Sequence, residues 1–338
     1  MVEVVSLSLN EVRSLAHNSL IQNGCNAANA DAVAETIVIA ERDGSESHGL
    51  FRLPGYIASL RSGKVNGTAS PTITQLRPGV IRVDNDNGYA PLGILTGHTP
   101  LVDAARRQGI AFMALVNSYH FAALWHEIES LCEAGVCAFA CTAHTPTVAP
   151  FGGSRAVFST NPIAFGWPRT NRPPLVFDMA TAAKARGDIM LAAREGHTVP
   201  EGSGLDAEGN PTTDPRAILD GGVQLPFGGY KGSAIALMVE LLAAAIVGES
   251  FSFEAGAADN KDGGPARGGE FILAIDPSAA GGENWARHAE GLFLALAKQE
   301  GVRLPGDRRY ANRKRTPKDG VRIPAKLHSK ILELQRAT

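Results

Sequence analysis

The sequence lacks the short motifs that usually identify a nucleotide-binding protein. No strand-like segment is followed by G-x-G-x-x-G, and G-x-x-x-x-G-K-[ST] does not occur. Since such glycines let the backbone approach a phosphate, their absence argues against a standard dinucleotide fold and against a Walker-type NTPase. The hydrolase motif G-x-S-x-G and the zinc-protease motif H-E-x-x-H are absent too. Any nucleotide must therefore be bound by another arrangement.

The chain also has little net charge and no long apolar run. Thirty-two basic residues balance 34 acidic ones, for a formal net charge of −2. No global field attracts nucleic acid or an anionic membrane, and we expect neither partner. The longest apolar run, residues 235–247, contains Glu240. It is shorter than the roughly 20 residues of a membrane span, and we interpret it as a buried helix.

Cysteine is scarce, and its spacing does not indicate a metal site. The four cysteines are Cys25, Cys132, Cys137 and Cys141. None of them forms the C-x2-C pair of zinc sites, and no two histidines show ligand spacing with a nearby carboxylate, so we expect no metal. Cys137 and Cys141 alternate with small apolar residues in a predicted strand, so we interpret them as small buried hydrophobic residues and expect a reduced, cytoplasmic protein.

What the chain does contain is enough apolar sequence for a large core. It has 338 residues, 44% of them hydrophobic, and its 37 glycines and 20 prolines indicate many tight turns. Helical patterns occur near both ends, for example over 8–21, 27–42 and 285–300, and strand patterns occur in the middle. Residues 248–270 have no hydrophobic period and are expected to form a loop. We therefore predict a mixed α/β fold with two parts. Residues 1–70 and 285–338 form a helical, dimerising lobe, and residues 71–284 form the cofactor-binding domain.

One polar, turn-rich segment is a candidate for catalysis. His48 lies between Ser47 and Gly49, at the end of a predicted helix, and Arg52 follows four residues later. Histidine can exchange a proton near neutral pH, and arginine offers a planar fork for a carboxylate. A proton donor beside an anion clamp suits a 2-oxo or 2-imino acid. A surface histidine and an ion-paired arginine would give the same pattern.

Three segments could bind phosphates. Residues 118–124 and 228–232 each lead into a predicted helix, whose free N–H groups favour an anion, and the second contains Lys231. Most helices begin this way without binding anything. The basic run at 308–315 fits a nucleic-acid patch or the 2′-phosphate of NADP.

Taken in order, these segments form a more specific pattern. The motifs are Ser47-His48-Gly49 with Arg52 and Pro54-Gly55-Tyr56, residues 118–124, Thr160-Asn161-Pro162, Phe177-Asp178-Met179-Ala180, Ala185-Arg186-Gly187-Asp188, residues 228–232 and residues 304–308. Over about residues 8–335 the chain resembles the type-2 malate/L-lactate dehydrogenase-like oxidoreductases. In detail it is most similar to the Δ1-piperideine-2-carboxylate/Δ1-pyrroline-2-carboxylate reductases. Tyr230 stands where these relatives often carry histidine, which leaves the ring-size preference open.

The resemblance implies a dimeric, non-Rossmann α/β enzyme that uses NADPH in preference to NADH. It implies that His48 is the proton donor, that Ser47 and Asp188 complete a relay with it, and that Arg52 binds the substrate carboxylate. The implied cofactor contacts are His120, Phe121, Ala122, Ala123, Leu124, Thr160, Asp178, Met179, Ala180, Tyr230, Lys231, Gly306, Asp307 and Arg308.

The expected reaction is reduction of a cyclic 2-imino acid to L-pipecolate or L-proline. The alternative is a 2-hydroxy-acid dehydrogenase of the malate, lactate or ureidoglycolate type, which would use the same histidine. A nucleic-acid-binding protein using residues 308–315 is a third interpretation, although such a protein would have no use for the Ser-His, Arg and Asp set.

Overall fold

The computed structural model describes residues 3–120 and 122–336. The strands are β1 (Val4–Leu7), β2 (Thr72–Arg77), β3 (Val80–Tyr89), β4 (Ile110–Tyr119), β5 (Cys137–Thr142), β6 (Ile163–Trp167), β7 (Leu175–Met179), β8 (Gly204–Leu205), β9 (Pro211–Thr212), β10 (Val223–Gln224), β11 (Arg267–Ile275) and β12 (Val321–Pro324). The helices are α1 (Leu9–Gln22), α2 (Ala27–Arg42), α3 (Leu53–Arg61), α4 (Ala90–Gln108), α5 (Trp125–Glu133), α6 (Arg186–Glu195), α7 (Pro215–Leu219), α8 (Tyr230–Glu240), α9 (Ser252–Ala258), α10 (Ser278–Gly281), α11 (Trp285–Ala297), α12 (Asp307–Asp319) and α13 (Ala325–Arg336). Short 3-10 turns cover Glu46–His48, Leu50–Arg52 and Gly282–Asn284, and a π-helical turn, Leu241–Ile246, continues α8.

A seven-stranded sheet with the order β2-β3-β4-β11-β5-β6-β7 forms the centre of the molecule. β3 and β4 are parallel and are connected by α4, whereas the other neighbours are antiparallel. Small buried residues such as Ala111, Ala140 and Ala274 let helices approach the central strands closely. The expected mixed α/β fold is confirmed. The four cysteines are free, as expected, and they are buried, as expected for Cys137 and Cys141.

The two ends of the chain meet beside this sheet. β1 pairs antiparallel with β12, and α13 buries Ile331 in one core with Leu20 and Ile57. Helix α11 instead packs on the large sheet, where the Trp285 ring meets the Trp167 ring edge-on with centroids 5.7 Å apart. Within the described part of residues 285–338, β12, α12 and α13 therefore contact the N-terminal part, whereas α11 does not join this contact.

The expected loop at 248–270 is wrong in part. The segment contains α9 and the beginning of β11. Glu254 accepts a 2.9 Å hydrogen bond at the N-terminus of α9. Lys64 binds Asp259 and Asp262 at 2.9 and 2.6 Å, so this glycine- and aspartate-rich stretch is held by charge rather than by apolar packing. A search for hydrophobic periodicity therefore does not reveal that this stretch is ordered.

The expected buried helix at 235–247 corresponds to α8 and its π-helical turn, and the expected burial holds for one face only. Ala236 and Val239 are buried, but Leu237, Leu241 and Ile246 are 50%, 47% and 56% exposed in the single chain. One apolar face of this helix thus lies on the surface. No helix among the described residues combines the length and apolar character needed to cross a membrane.

Candidate active site

A cavity of about 580 Å³ gathers most of the predicted site residues. Its walls come from the turns after α2, the beginning of α5, the end of β7, the N-terminus of α6 and the beginning of α12. The predicted residues that line it are Ser47, His48, Arg52, Ala122, Ala123, Leu124, Thr160, Asp178, Met179, Ala180, Asp188, Gly306 and Arg308. Segments that are far apart in sequence thus line the same cavity.

The other predicted residues lie elsewhere. His120 is buried behind the cavity wall, and Asp307, the first residue of α12, accepts a hydrogen bond from the Leu304 N–H at 2.9 Å. Tyr230 and Lys231 begin α8 outside this cavity. Phe121 lies outside the described residues.

Ser47 and His48 form a hydrogen-bonded serine–histidine pair in the cavity. Ser47 Oγ lies 3.0 Å from Nδ1 of His48, and Ser45 Oγ lies 3.3 Å from the same nitrogen. Burial, followed by the charges of Arg52 and His120, lowers the pKa of His48 from 6.5 to about 3. The imidazole is therefore neutral at neutral pH, with one ring nitrogen held by hydroxyl groups.

A buried carboxyl group fixes the turn that carries this pair. Glu41 Oε1 accepts a hydrogen bond from the Leu50 N–H at 2.7 Å. A side chain at Gly49 would overlap the Glu41 carboxyl group, so glycine is needed for this close approach. Burial raises the pKa of Glu41 from 4.5 to about 7, although the hydrogen bond from Leu50 opposes this. Nothing in the spacing of Glu41 on its helix indicated this function.

Two arginines and the N-terminus of α6 form the end of the cavity next to His48. Arg52 Nε donates to the Ser47 carbonyl oxygen at 2.7 Å. A Cβ at Gly187 would lie 2.9 Å from the Ser47 Cβ and 3.7 Å from an Arg52 guanidinium nitrogen. Arg186, the residue before it, also lines the cavity, and burial lowers its pKa. Sequence reasoning placed Arg186 in a motif but gave it no role.

Asp188 faces the same cavity but has a different partner from the one expected. Its Oδ2 forms an ion pair with Lys184 Nζ at 2.9 Å, and both side chains are more than one third exposed. Among the described residues, no hydrogen bond or ion pair joins Asp188 to Ser47 or His48.

Another part of the cavity wall carries a buried carboxyl group and a buried arginine. Asp178 Oδ2 accepts a hydrogen bond from the Trp125 N–H at 3.2 Å, and burial raises the pKa of Asp178 to about 6. The Arg309 guanidinium lies over the Trp125 ring, 4.4 Å from its centroid. Arg309 Nη1 is buried without a hydrogen-bond partner among the described residues. Arg309 belongs to the basic run at 308–315 and was not singled out from the sequence; another member, Arg313, forms ion pairs with Asp43 and Glu129.

Comparison with known proteins decides the family. The sequence profile described as malate/L-lactate dehydrogenase matches residues 7–332. This chain belongs to that family. The resemblance drawn from the motifs is confirmed, and the protein is an oxidoreductase.

Relatives in the family are similar over nearly the whole chain. A Δ1-pyrroline-2-carboxylate reductase of Ancylobacter novellus is 45% identical over 99% of this chain and 98% of its own length. A Δ1-pyrroline-2-carboxylate/Δ1-piperideine-2-carboxylate reductase of Pseudomonas aeruginosa is 46% identical over 98% of this chain and 99% of its own. The crystal structure of a Δ1-piperideine-2-carboxylate reductase from Pseudomonas syringae superposes with a TM-score of 0.92. It is 42% identical and covers 98% of this chain and 99% of its own.

Proposed function

We propose that this protein reduces cyclic 2-imino acids with NADPH, converting Δ1-piperideine-2-carboxylate to L-pipecolate and Δ1-pyrroline-2-carboxylate to L-proline. The observation that carries the proposal is the Ser47–His48 pair beside Arg52 in one cavity. The names of the similar reductases support the substrate class.

The cavity has the polar groups that a nicotinamide dinucleotide needs. Arg309 offers a buried guanidinium nitrogen without a partner among the described residues, and Arg308 lies beside it on the same wall. Guanidinium groups bind phosphates through two parallel hydrogen bonds. When bound, NADPH supplies the hydride that reduces C2 of the substrate. Residues 178–180 and 122–124 would hold it, and Tyr230 and Lys231 would reach it only if assembly brings α8 to the cavity.

His48 supplies the proton in this proposal. With the imidazole neutral, Ser47 can donate to Nδ1, which leaves the ring proton on Nε2. A substrate carboxylate on Arg52 offsets one of the charges that disfavour the imidazolium form, so His48 becomes more basic when the site fills. His48 can then take up a proton from solvent, and the Nε2–H of the resulting imidazolium passes to the ring nitrogen of the imine, which returns His48 to its neutral form. Asp188, in the first turn of α6 at the same end of the cavity, would support the positive charge.

Arg52 positions the substrate by its carboxylate. Its guanidinium is tied through Nε to the Ser47 carbonyl, so the clamp and the proton donor belong to one rigid turn. Holding the carboxylate there fixes C2 relative to His48, and orientation of this kind can supply several kcal/mol of the rate enhancement.

One observation favours a second candidate, reduction of a 2-oxo acid. Arg186 adds a second cation to the end of the cavity that holds Arg52. No carboxylate of the described residues forms an ion pair with Arg186. A substrate with two anionic groups, such as oxaloacetate, would engage both arginines.

We include a homodimer in the proposal, and we place its contact on α8 rather than on the lobe of residues 1–70 and 285–338. The exposed face of α8 and its π-helical turn carries Leu237, Leu241 and Ile246, and such apolar surface on one helix is typical of a subunit contact. Leu241→Glu should yield a monomer by light scattering at micromolar concentration. A cytoplasmic location stays part of the proposal, because free buried thiols persist in reducing compartments.

The test compares four substrates in one assay. NADPH oxidation is followed with Δ1-piperideine-2-carboxylate, Δ1-pyrroline-2-carboxylate, pyruvate and oxaloacetate. We expect kcat/KM for the better imino acid to exceed that for either oxo acid by at least about tenfold, since recognition of one polar group is worth that much. A higher value for oxaloacetate would favour the second candidate.

A further inference from the structure

Three ionisable side chains converge behind the cavity wall, at the place where β4, α5 and β11 meet. His120 follows β4, Glu127 lies in the first turn of α5, and Glu270 lies on β11. Nε2 of His120 is 3.5 Å from Glu127 Oε1 and 3.9 Å from Glu270 Oε2. One ligand atom from each residue lies within 4.8 Å of the others. The three residues are only 5%, 6% and 2% exposed.

The polar atoms of this cluster are unsatisfied by the rest of the protein. With both carboxylates ionised, neither ring nitrogen of His120, neither carboxylate oxygen of Glu270 nor Oε1 of Glu127 has a hydrogen-bond partner among the described residues, and the two carboxyl groups face each other. Buried polar atoms are almost always paired, and an unpaired buried charge costs several kcal/mol. No lysine or arginine of the described chain forms an ion pair with either carboxylate.

We propose that His120, Glu127 and Glu270 bind one divalent transition-metal cation of the zinc class. Two carboxylates and a neutral imidazole carry a charge of about −2, which one divalent cation balances. Ligand atoms placed 2.0–2.2 Å from a tetrahedral cation are roughly 3.4 Å apart. The observed separations of 3.5 and 3.9 Å are close to this value before any metal draws the ligands inward.

The chemistry of the donors selects the kind of cation. One nitrogen and two carboxylate oxygens suit Zn²⁺, Co²⁺ or Mn²⁺ better than Ca²⁺, which takes six or more oxygen ligands. Three protein ligands leave a fourth position for water. The sequence did not reveal this site because Glu270 is distant in the chain from the other two residues and joins them only where β11 pairs with β4.

The cation has a structural function in this proposal. It connects three elements behind residues 122–125, which line the cavity. It therefore stabilises the cavity wall without contacting substrate. The proposal does not depend on which substrate the enzyme reduces, because its readouts are metal content and metal affinity.

The experiment measures metal directly. The full-length protein is dialysed against a chelator, and Zn²⁺ binding is followed by calorimetry and by elemental analysis after gel filtration. Co²⁺ is added separately, because its visible absorption reports the ligand geometry. We expect one Zn²⁺ per chain, a higher Tm with Zn²⁺, and a Co²⁺ band.

Matched variants locate the site. Glu127→Gln and Glu270→Gln keep the side-chain size and should each weaken Zn²⁺ binding at least about tenfold. Glu133→Gln, an exposed position at the end of the same helix α5, should bind like the wild type. Circular dichroism verifies that each variant is folded. Wild-type protein that binds no Zn²⁺ or Co²⁺, or Gln variants that bind them equally well, would overturn the proposal. A Glu270→Gln variant that is stabilised without metal would identify the cluster as a protonated carboxyl pair instead.

Discussion

The hydroxyl group of Ser47 lies 3.0 Å from Nδ1 of His48, so the proposed proton donor is oriented by its neighbour in sequence. Ser47→Ala removes this hydrogen bond and leaves Ser45 at 3.3 Å as a partial substitute. We expect kcat to fall about tenfold, the worth of one hydrogen bond, with little change in NADPH affinity. Steady-state kinetics and NADPH fluorescence titration measure the two quantities. An unchanged kcat would show that Ser47 does not position the imidazole.

Gly187 separates α6 from the turn that carries Ser47. A methyl group there would lie 2.9 Å from the Ser47 Cβ, so Gly187→Ala must displace one of the two elements. Because small displacements near the reacting atoms are costly, we expect kcat/KM to fall at least about tenfold. Gly291→Ala is the matched control, since a methyl group in that helix meets nothing within 4 Å. Equal activity of the two variants would contradict the close approach.

Glu41 gives a pH dependence of stability. Its pKa in the folded protein is raised from 4.5 to about 7 by burial, so the folded state binds this proton more tightly than the unfolded chain. This contribution is fully present below pH 4.5 and is lost as the pH rises through 7. The Glu41→Gln variant does not titrate at this position, so it does not lose this contribution as the pH rises.

We therefore expect the free energy of unfolding of Glu41→Gln, relative to wild type, to increase between pH 5 and pH 8.5. The increase should be up to about 3 kcal/mol. Urea denaturation at the two pH values measures it, and the exposed Glu133→Gln serves as control. A difference that does not change with pH would contradict the raised pKa.

The arginines of α12 predict the cofactor preference. A charge-assisted contact with the 2′-phosphate contributes about 1.5–3 kcal/mol, so NADPH should be favoured over NADH by at least about tenfold in kcat/KM. Arg308→Ala should reduce this ratio, whereas Arg315→Ala, which lies outside the cavity, should not. Equal kcat/KM for the two cofactors in the wild type would exclude a 2′-phosphate site.

Local patterns predicted a mixed α/β fold, and the family resemblance, carried by the order of the motifs, supplied most of the residues that line the cavity. The sequence could not predict which charges meet. Arg313 is in the same basic run as Arg308 and Arg309, yet it pairs with Asp43 and Glu129 from distant helices. Helix α4 was also missed, because Gly93, Gly97 and Pro100 interrupt its pattern while close packing against the sheet stabilises it. The ion pairs of Arg313 and the stability of α4 both depend on contacts between residues far apart in sequence. Local patterns in a single sequence do not predict such contacts.

The central claim is that His48 donates the proton while Arg52 holds the substrate carboxylate. The most direct measurement is NADPH oxidation with Δ1-piperideine-2-carboxylate by His48→Ala, with energy transfer from protein to NADPH recorded on the same sample. Loss of a general acid lowers kcat and kcat/KM together, typically by about 10²–10⁴-fold, and Arg52→Ala should instead mainly raise KM. We expect His48→Ala to bind NADPH normally and to show less than about one hundredth of the wild-type kcat. Normal NADPH binding with more than about one tenth of the wild-type kcat would contradict the assignment of His48 as the proton donor.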